Sequence, residues 1–238
     1  MKRADLTKPQ SRALDKLLSF YTTDAAFRGK LGLFESSLTS LIESSAELRA
    51  IIHSFRTRIK ESDHLEEKIL RKSDKYFQAG KLLITPANLG TSVNDLVGLR
   101  LLHLHTTQIV EIDRRLRHAL DDFSYKIREG PIARTWDNEY KKYYTSVGIT
   151  PKDSPNMYTS VHYVIDLNNR AADLTAEIQV RSLAEELWGE VDHSLNYPDD
   201  HASEMCRAQI NVLARITSGA TRLVDAIYMA ADHHEKGI

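Results

Sequence analysis

The chain has 238 residues, of which 42% are hydrophobic and 27% are charged. This composition is typical of a water-soluble protein with one sizeable core. Because 32 lysines and arginines face 33 acidic residues, the formal net charge of −1 argues against a basic nucleic-acid coat, and any polyanion site has to be a local patch. Cys206 is the only cysteine, which excludes an intramolecular disulfide and a multi-cysteine zinc site.

The sequence carries no sign of a membrane segment or an export signal. No run approaches the ~18 apolar residues that a membrane span needs, and the first residues lack the apolar stretch of a signal peptide. A single cysteine also suits a reducing compartment. We therefore expect a cytoplasmic protein with no membrane partner.

The N-terminal part, residues 11–55, has apolar residues at helical spacing. Thr23-Asp24 predicts a helix N-cap ahead of Ala25. A further helix is predicted from Ser62 to Gln78, with Gly80 as its C-terminal stop.

Short strands follow these helices. Five segments have the β-branched or alternating pattern of strands: Leu82–Ile84, Val97–Leu104, Phe123–Arg128, Thr159–Leu167 and Thr175–Val180. The last two flank a turn-rich joint, which predicts a hairpin. Between the second and third strands, residues 109–120 predict an amphipathic helix. The connection from Glu129 to Met157 is predicted as a long loop, and loops of that length are usually functional or mobile.

Helices return at the C-terminal end. One is predicted from Arg181 to a break at residues 196–198, and a last one from about Asp199 to Asp232. Together the elements predict an α/β (α+β) fold, with a mixed, mainly antiparallel central sheet of about five strands flanked by helices. We expect one domain over residues 1–238, consisting of N-terminal helices (1–55), a core (56–197) and a C-terminal helix (198–238). The sequence contains neither Gly-x-Gly-x-x-Gly nor a Walker motif, so neither standard phosphate-binding loop is available.

A group of cations precedes the first strands. Lys68, Arg71 and Lys75 are spaced at three and four residues, so the predicted helix carries them on one face. That face could hold a triphosphate. A solvated surface helix with interspersed acidic residues explains the same charges, and the pattern alone does not decide between the two.

Carboxylates stand at the start of one predicted strand and inside another. Asp95 precedes the strand that contains Arg100, and a buried arginine requires a partner. Glu177 and Gln179 alternate with apolar residues, so they share one face of their strand. If Asp95 and Glu177 lie on neighbouring strands, they form a two-carboxylate site of the kind that Mg²⁺ uses with substrate phosphates. A turn residue and a half-exposed edge strand are the alternatives.

Aromatic and imidazole side chains follow in the second half of the chain. Tyr158 stands beside a polar loop, where it could stack on a base or fill the core. His162 lies four residues further on. His193 and Asn196 end the helix that begins near Arg181, where a histidine is often satisfied by the helix terminus.

Taken in order, these segments resemble the successive motifs of the RelA/SpoT alarmone synthetase domain. The motifs are Arg58-Ile59-Lys60 with Lys68 downstream, Asp95–Arg100, Tyr158–His162, Glu177–Arg181, and Leu187-Trp188 through His193–Tyr197. Each motif is short, but five of them in the right order and spacing are specific. The chain is most similar to the small, single-domain alarmone synthetases, so we expect a nucleotidyltransferase-like core with helical extensions and no hydrolase or sensing domain.

The resemblance implies a reaction. In it, the β,γ-pyrophosphate of ATP is transferred to the 3′-hydroxyl of GDP or GTP with the help of Mg²⁺, which gives (p)ppGpp and AMP. The residues implied to bind ATP are Arg58 and Arg100, which would sandwich the adenine, and Lys60, Lys68 and Arg71, which would hold the triphosphate.

The resemblance also assigns the metal and the acceptor. Asp95 and Glu177 would hold Mg²⁺, and Glu177 would also act as the general base for the 3′-hydroxyl. Tyr158 would stack on the acceptor base. The residues implied to line the acceptor side are His162, Gln179, His193 and Asn196.

Two positions depart from the family pattern. His64 stands where a serine is usual, and Met157 replaces the glycine that usually precedes the stacking tyrosine. Because Met157 is bulky, the acceptor could instead be an adenine nucleotide or the 3′ end of tRNA, as in some toxin members of the family. Four cations of the predicted loop, Arg134, Lys141, Lys142 and Lys152, are either contacts for acceptor phosphates or RNA, or ordinary solvated charges.

Two further hypotheses belong to other functional classes. One is a non-catalytic regulator that binds nucleotide or RNA on the same fold, although binding alone does not require both Asp95 and Glu177. The other is a helical scaffold, which leaves the ordered motifs unexplained. The apolar terminal helices also predict a homo-oligomer, either a dimer or a tetramer.

Overall fold

The computed structural model describes residues 1–154, 156–167, 173–196 and 203–235, with the side chains of Leu167, Asn196 and residues 232–235 left out. Its helices are α1 (Lys8–Thr23), α2 (Ala25–Ser44), α3 (Ala46–Arg49), α4 (Ser62–Arg71), α5 (Ser73–Tyr76), α6 (Leu89–Ser92), α7 (Ile109–Asp122), α8 (Asn138–Ser146), α9 (Leu183–Asn196) and α10 (Glu204–Glu235). Its strands are β1 (Ser54–Ile59), β2 (Phe77–Gln78), β3 (Lys81–Leu82), β4 (Val97–His103), β5 (Tyr125–Thr135), β6 (Thr150–Asp153), β7 (Ser160–Leu167) and β8 (Thr175–Ser182).

Six strands form the central sheet in the order β1-β4-β8-β7-β5-β6. Neighbouring strands run antiparallel in three pairs and parallel in two, β4 with β8 and β5 with β6. The predicted α/β (α+β) fold with a mixed, mainly antiparallel sheet is therefore confirmed. The predicted pairing of the last two strands is also confirmed, because β7 and β8 are antiparallel neighbours. The turn between them falls largely outside the described residues.

The two faces of the sheet differ in chemistry. Leu99, Ile178 and Val180 point to the face covered by α2 and α7, and all three are almost fully buried. Arg100, Glu177 and Gln179 alternate with them on the same strands and point to the face over which α9 lies, with α10 packed behind it. This alternation follows from the twofold period of a strand, and it leaves one sheet face available for chemistry.

Several boundaries differ from the prediction. The N-terminal helices end at Arg49, and residues 54–59 form β1, because Phe55, Thr57 and Ile59 alternate with charged residues. The helix predicted to run to Gln78 ends at Tyr76. The prediction that Leu82–Ile84 is a strand of the central sheet is wrong, because β3 lies in a separate two-stranded sheet with β2. Gly80 does not stop a helix; with Ala79 it forms the β2–β3 turn, where both residues have positive φ.

The largest difference lies between Glu129 and Met157. The prediction of a long loop there is wrong, because β5 continues to Thr135 and is followed by α8 and β6. The mixed polar and aromatic composition of this stretch hid its periodicity. By contrast, the predicted N-cap is confirmed: the Asp24 side chain accepts a 2.8 Å hydrogen bond from the backbone N–H of Phe27.

The C-terminal part is helical, as expected. The last helix begins at Glu204, and part of the predicted break at residues 196–198 lies outside the described residues. Among the described helices, none is both long enough and apolar enough to cross a membrane.

Candidate functional site

The polar sheet face gathers the predicted site residues by strand register. Gly98 on β4 pairs with Arg58 on one side and with Glu177 on the other, so these side chains share a face. One step along the strands, Arg100 lies opposite Gln179, and Gln179 lies opposite His162 of β7. The Arg58 side chain lies over Gly98, where a Cβ would make an ordinary van der Waals contact with it at 3.6 Å.

A cavity of about 790 Å³, the main cavity, opens on this face beside α9. It brings together nine of the twelve predicted residues. Those assigned to ATP are Arg58, Lys60, Arg71 and Arg100; the two carboxylates are Asp95 and Glu177; those assigned to the acceptor are Tyr158, Gln179 and His193. The side chain of the tenth, Asn196, lies outside the described residues. Lys68 and His162 line a neighbouring cavity instead.

Asp95 is held between two lysines at the start of β4. Its Oδ2 lies 3.1 Å from Lys60 Nζ, and its Oδ1 accepts a 2.5 Å hydrogen bond from Lys68. Burial alone would raise the pKa of Asp95, but the positive charges of Lys68 and Lys60 outweigh it, so the pKa is lowered. Burial lowers the pKa of Lys60, against the attraction of Asp95. The carboxylate is therefore ionised at neutral pH and lies among cations that can also bind phosphate.

Glu177 belongs to a closed ring of hydrogen bonds. Its Oε1 lies 2.9 Å from His162 Nδ1, and its Oε2 accepts a 3.0 Å bond from Gln179. His162 Nε2 lies 3.1 Å from the Tyr158 hydroxyl, and Arg181 completes the ring by donating to both Tyr158 and Gln179 at 3.0 Å. Burial would raise the pKa of Glu177, but the bond from His162 and the nearby positive charges lower it overall. An ionised Glu177 is thus fixed in orientation by its neighbours.

Arg181 also sets the position of the Tyr158 ring. Its guanidinium carbon lies 4.9 Å from the ring centroid, so the cation covers one face of the aromatic ring. Arg181 is itself 5% exposed and lies 3.0 Å from a carboxylate oxygen of Glu186. Tyr158 further packs against Trp188 of α9. A planar ligand in the main cavity can therefore contact a tyrosine ring that Arg181 holds in position by covering its other face.

Arg100 is tied to α9 by two glutamates. It donates to Glu186 at 2.5 Å and to Glu190 at 2.9 Å, and these bonds satisfy the charge that burial in the strand would otherwise leave unpaired. Arg56 is the direct cross-strand partner of Arg100. The two glutamates therefore hold a guanidinium plane at the cavity wall and also offset the repulsion between neighbouring arginines.

A second cavity of about 230 Å³ lies on the other side of Glu177. Four cations line it, Lys68, Lys72, Lys75 and Arg134, and we call it the lysine cavity. The prediction that Lys68, Arg71 and Lys75 share one helical face is wrong, because α4 ends at Arg71, which lines the main cavity instead. The change of direction after α4 divides the cations between two sites.

The four cations predicted between Glu129 and Met157 also separate. Only Arg134 lines one of the two cavities. Lys141 forms an ion pair with Asp153, and Lys152 lies 3.8 Å from Glu129, while Lys142 is an exposed residue of α8. His64 lies on α4 and meets His193 of α9 edge to face, with ring centroids 5.8 Å apart across the main cavity.

The donor set for a metal consists of carboxylates. In the described part of the chain, no group of three or more histidine, cysteine, aspartate or glutamate side chains is arranged around a common point. Asp95 and Glu177 are close enough for the charge of Glu177 to raise the pKa of Asp95. Two ionised carboxylates beside phosphate-binding lysines fit Mg²⁺, which is commonly held by one or two carboxylates together with substrate phosphates.

Several residues of the site were missed by the sequence prediction. Arg181 and Trp188 stand within the family motifs, but the sequence prediction assigned neither of them a role. Glu186 and Glu190 are spaced at four residues on α9, a pattern that many solvated helices share. Lys72 has no signal beyond its charge, since only the end of α4 directs it into the lysine cavity.

Known proteins resemble this chain in sequence and in fold. A GTP pyrophosphokinase from Bacillus subtilis, YwaC, is 25% identical over 150 residues, which are 61% of this chain and 59% of YwaC, so the chain spans under two thirds of that relative. A GTP pyrophosphokinase family protein from Streptococcus pneumoniae superposes with a TM-score of 0.61 at 20% identity, covering 88% of this chain and 93% of the other. The small alarmone synthetase 1 of Bacillus subtilis, in complex with its product pppGpp, gives 0.59 at 19% identity, covering 86% and 94%.

The structural likeness establishes the fold, and a sequence profile establishes the family. The profile described as "Region found in RelA / SpoT proteins" matches residues 57–202, which is more than half of the chain. The match begins in β1 and includes the whole lining of the lysine cavity and all but four lining residues of the main cavity, so it covers most of the site as well as the sheet. The chain therefore belongs to the RelA/SpoT family.

Proposed function

We propose that this protein is an Mg²⁺-dependent nucleotide pyrophosphokinase. It transfers the β,γ-pyrophosphate of ATP to the 3′-hydroxyl of a guanine nucleotide, GDP or GTP, and releases AMP. One observation carries the proposal: Glu177, an ionised and oriented carboxylate, lies on the wall shared by two cation-lined cavities. The similar proteins point the same way, since one is a GTP pyrophosphokinase and the product of another is pppGpp.

In the proposed reaction, the 3′-oxygen of the acceptor attacks the β-phosphorus of ATP. The new O–P bond forms as the bond from that phosphorus to the α,β-bridging oxygen breaks, and its electron pair leaves with AMP. The hydroxyl proton passes to the Glu177 carboxylate. Because Glu177 is held by His162 and Gln179, its orientation is established before the acceptor arrives.

Cations stabilise the transferred group in this scheme. Lys60 and Arg71 line the main cavity where the triphosphate would lie, and Lys68, which lines the lysine cavity, donates to Asp95 of the main cavity. They neutralise the charge that develops on the transferred phosphates. Asp95 and Glu177 would hold the metal, which would supply Lewis-acid stabilisation of the negative charge on the phosphates.

Adenine binding is assigned to the arginines of β1 and β4. Arg58 is the cross-strand partner of Gly98, and Arg100 lies two residues further along β4, so both arginines lie on one sheet face. This placement supports a stacked base between them, with Glu186 and Glu190 fixing one guanidinium. Tyr158 would stack on the acceptor base, with His162, Gln179, His193 and Asn196 on the acceptor side.

Product analysis tests the reaction. Purified protein with Mg²⁺ and labelled ATP should release AMP and form a 3′-pyrophosphorylated nucleotide when GDP or GTP is present. A panel of GDP, GTP, AMP, ADP, ATP and tRNA distinguishes the acceptors. If folded protein gives no AMP with any member of the panel, the proposal is refuted. If product forms with tRNA alone, the acceptor is RNA and not a guanine nucleotide.

Two substitutions test the assignment of the carboxylates. Asp95→Asn and Glu177→Gln should each lower turnover by about a thousandfold, because each removes a charge at the reacting phosphates. Asp74→Asn is the matched control, since Asp74 is an exposed acidic residue of α5 outside both cavities. Binding of ATP measured without turnover separates the roles: tight binding by wild-type protein with no AMP release would favour a non-catalytic regulator.

We also propose that the chain forms a homo-oligomer through α10. The exposed apolar side chains of this helix recur at helical spacing and form one stripe: Met205, Val212, Ile216, Leu223 and Ile227. Between 51% and 68% of each of these residues is exposed, so a second copy has an apolar surface to cover. Light scattering should give a dimer or tetramer, and Ile216→Glu with Leu223→Glu should give a monomer. A monomeric mass for the wild-type protein at all concentrations would refute this.

We propose that residues 1–238 act as one unit in the cytoplasm. Residues from Leu14 of α1 to Val180 of β8 belong to one continuous core, which supports a single domain. Limited proteolysis should release no stable fragment that lacks residues 1–55, because Leu14 to Leu48 belong to the same core as the sheet. Cell fractionation tests the location.

A further inference from the structure

Three consecutive residues, 157–159, place a tyrosine ring at the wall of the main cavity. Tyr158 lines that cavity, but neither Met157 nor Thr159 is among the described residues that line it or the lysine cavity. Any effect of Met157 or Thr159 on a bound ligand therefore has to pass through a neighbour. Tyr158 is the neighbour that both of them share.

Met157 holds the chain in a conformation that methionine rarely adopts. Its φ of 55° lies in the left-handed region, where any side chain crowds the backbone. Such conformations persist where the surrounding contacts determine them, and they cluster at ligand-binding sites. The contacts here are apolar, since Met157 and Tyr158 both pack against one buried cluster, formed by Trp188, Ile210 and Ala214. The Met157 side chain therefore anchors the backbone on one side of the tyrosine.

Thr159 anchors the backbone on the other side. Its hydroxyl lies 3.0 Å from the hydroxyl of Thr135 at the end of β5, and both residues are buried. The Thr135 hydroxyl also accepts a 3.2 Å hydrogen bond from the backbone N–H of Asp137, whose carboxylate accepts a 2.8 Å bond from Ser218 of α10. Because a buried hydroxyl that loses its partner costs free energy, the pair resists displacement of Thr159 relative to β5.

The tyrosine ring is held as well as its backbone. Arg181 covers one face of the ring, and Trp188 packs against it from α9. With the chain anchored at residues 157 and 159, the position of the ring is established before a base arrives. A stacking surface that is already rigid loses little conformational entropy on binding, so it binds more tightly than a mobile one.

We propose that Met157 and Thr159 are positioning residues, which hold Tyr158 where the acceptor base stacks on it and so raise the affinity for the acceptor without contacting it. This inference rests on the proposed function, which puts the acceptor base on Tyr158. The adenine of ATP is assigned to Arg58 and Arg100 on β1 and β4, which β8 separates from β7. The effect therefore falls on the acceptor and not on ATP. Because Met157 replaces the usual glycine, its anchor is a feature of this chain.

Binding measurements with variants of Met157 test the first anchor. With the donor side saturated by a non-hydrolysable ATP analogue, calorimetry gives the Kd values of GMP and GTP. Met157→Gly removes the apolar contact and frees the backbone, so it should weaken both nucleotides by the same factor, about three- to tenfold. Met157→Leu keeps an apolar side chain and should bind as the wild type does. Ser124→Gly is the matched control, because Ser124 has a φ of 58° and is an exposed residue outside both cavities.

Variants of Thr159 test the second anchor in the same assay. Thr159→Val keeps the shape of the side chain but removes the hydroxyl, and it should weaken GMP and GTP by about three- to tenfold. Thr159→Ser keeps the hydroxyl and should bind as the wild type does. Thr145→Val is the matched control, since Thr145 is an exposed residue of α8 outside both cavities.

A double-mutant cycle shows whether both anchors act through the tyrosine. Tyr158→Ala alone should weaken the acceptor by about ten- to a hundredfold, the loss expected for one stacked base. In the Tyr158→Ala background, Met157→Gly and Thr159→Val should cause no further loss, because the ring that they position is gone. A further loss as large as in the wild-type background would overturn the proposal.

Steady-state kinetics separate positioning from a general loss of structure. In Met157→Gly and Thr159→Val, the KM for GDP or GTP should rise while the KM for ATP stays the same. An equal rise in the KM for ATP would mean that the variants have lost structure generally, and it would overturn the proposal. An unchanged KM for the acceptor would do the same.

The positioning and the proposed function fail in different ways. If the wild-type protein binds GTP but releases no AMP with any acceptor, the proposed function fails, and the calorimetric comparison still decides the role of Met157 and Thr159. If the protein turns over guanine nucleotides but Met157→Gly and Thr159→Val bind them as the wild type does, only the positioning fails. Wild-type protein that binds no nucleotide refutes both.

Discussion

A buried glutamate next to the site should make the stability of the protein depend on pH. Glu185 lies in the first turn of α9, where its Oε2 accepts a hydrogen bond from the backbone N–H of Ser182 at 3.2 Å. Burial raises its pKa from 4.5 to about 7, against the lowering effect of Ser182 and Arg181, and Asp225 adds to the rise. At neutral pH the folded protein therefore holds a carboxyl that is close to half protonated.

The sign and size of the effect follow from linkage. Between about pH 4.5 and pH 7 the folded state keeps a proton on Glu185 that the unfolded chain has lost, so the free energy of unfolding falls as the pH rises. Each tenfold change in proton affinity is worth about 1.4 kcal/mol. The rise in the pKa of Glu185 from 4.5 to about 7 then corresponds to about 3 kcal/mol of stability, present at low pH and lost above about pH 7.

Glu185→Gln isolates this contribution, because an amide has the shape of the neutral carboxyl and does not titrate. Urea unfolding followed by circular dichroism at several pH values from about 5 to 8 gives the free energy of unfolding for both proteins. The free energy of unfolding of the variant should rise relative to that of the wild type by about 2.5 kcal/mol from pH 5 to pH 8. His103 and the other titrating groups are common to both proteins, so they cancel. A difference between variant and wild type that does not change with pH would refute the reasoning.

Three further substitutions test how the site is supported. Tyr21→Phe removes the hydroxyl that donates to the Lys60 carbonyl at 2.5 Å; it should cost about 1 kcal/mol in thermal unfolding and raise the KM for ATP. Gly189→Ala puts a Cβ 2.6 Å from Arg181 Nη1 and should weaken acceptor binding, whereas Gly219→Ala, with open space around it, should not. Gly90→Ala puts a Cβ 2.2 Å from the Asp173 carbonyl oxygen and should destabilise the fold by about 1–3 kcal/mol in urea unfolding; unchanged midpoints would contradict this.

The sheet could be predicted from the sequence where its strands alternate. β4, β7 and β8 were placed within two residues, because their apolar residues lie on one face and form the core. β1 was missed because Arg56, Arg58 and Lys60 look like a solvated charged run. Their polarity is explained only once the other sheet face is known to carry a cavity, and no local pattern contains that information.

The site could be predicted as a set of residues but not as an arrangement. Nine of the predicted side chains line the main cavity because each family motif lies on a neighbouring strand or on the adjoining α4 or α9. The division of the cations between two cavities could not be predicted, since it depends on where α4 ends. The hydrogen-bond ring around Glu177 joins residues 158 to 181 across two strands, and such pairings require the register of the strands.

Met157 shows how far such tertiary effects reach. The sequence marked it as a bulky residue where the family usually has glycine, and its φ of 55° lies in the left-handed region that favours glycine. The side chain is held there by packing, because Met157 and Tyr158 both lie against a small buried cluster of Trp188, Ile210 and Ala214. That cluster belongs to α9 and α10, so the residue beside the proposed stacking tyrosine is in contact with the helix whose outer face carries the exposed apolar stripe. The residue that departs from the family pattern therefore packs beside the proposed stacking tyrosine and also against α10, the helix of the proposed oligomer contact.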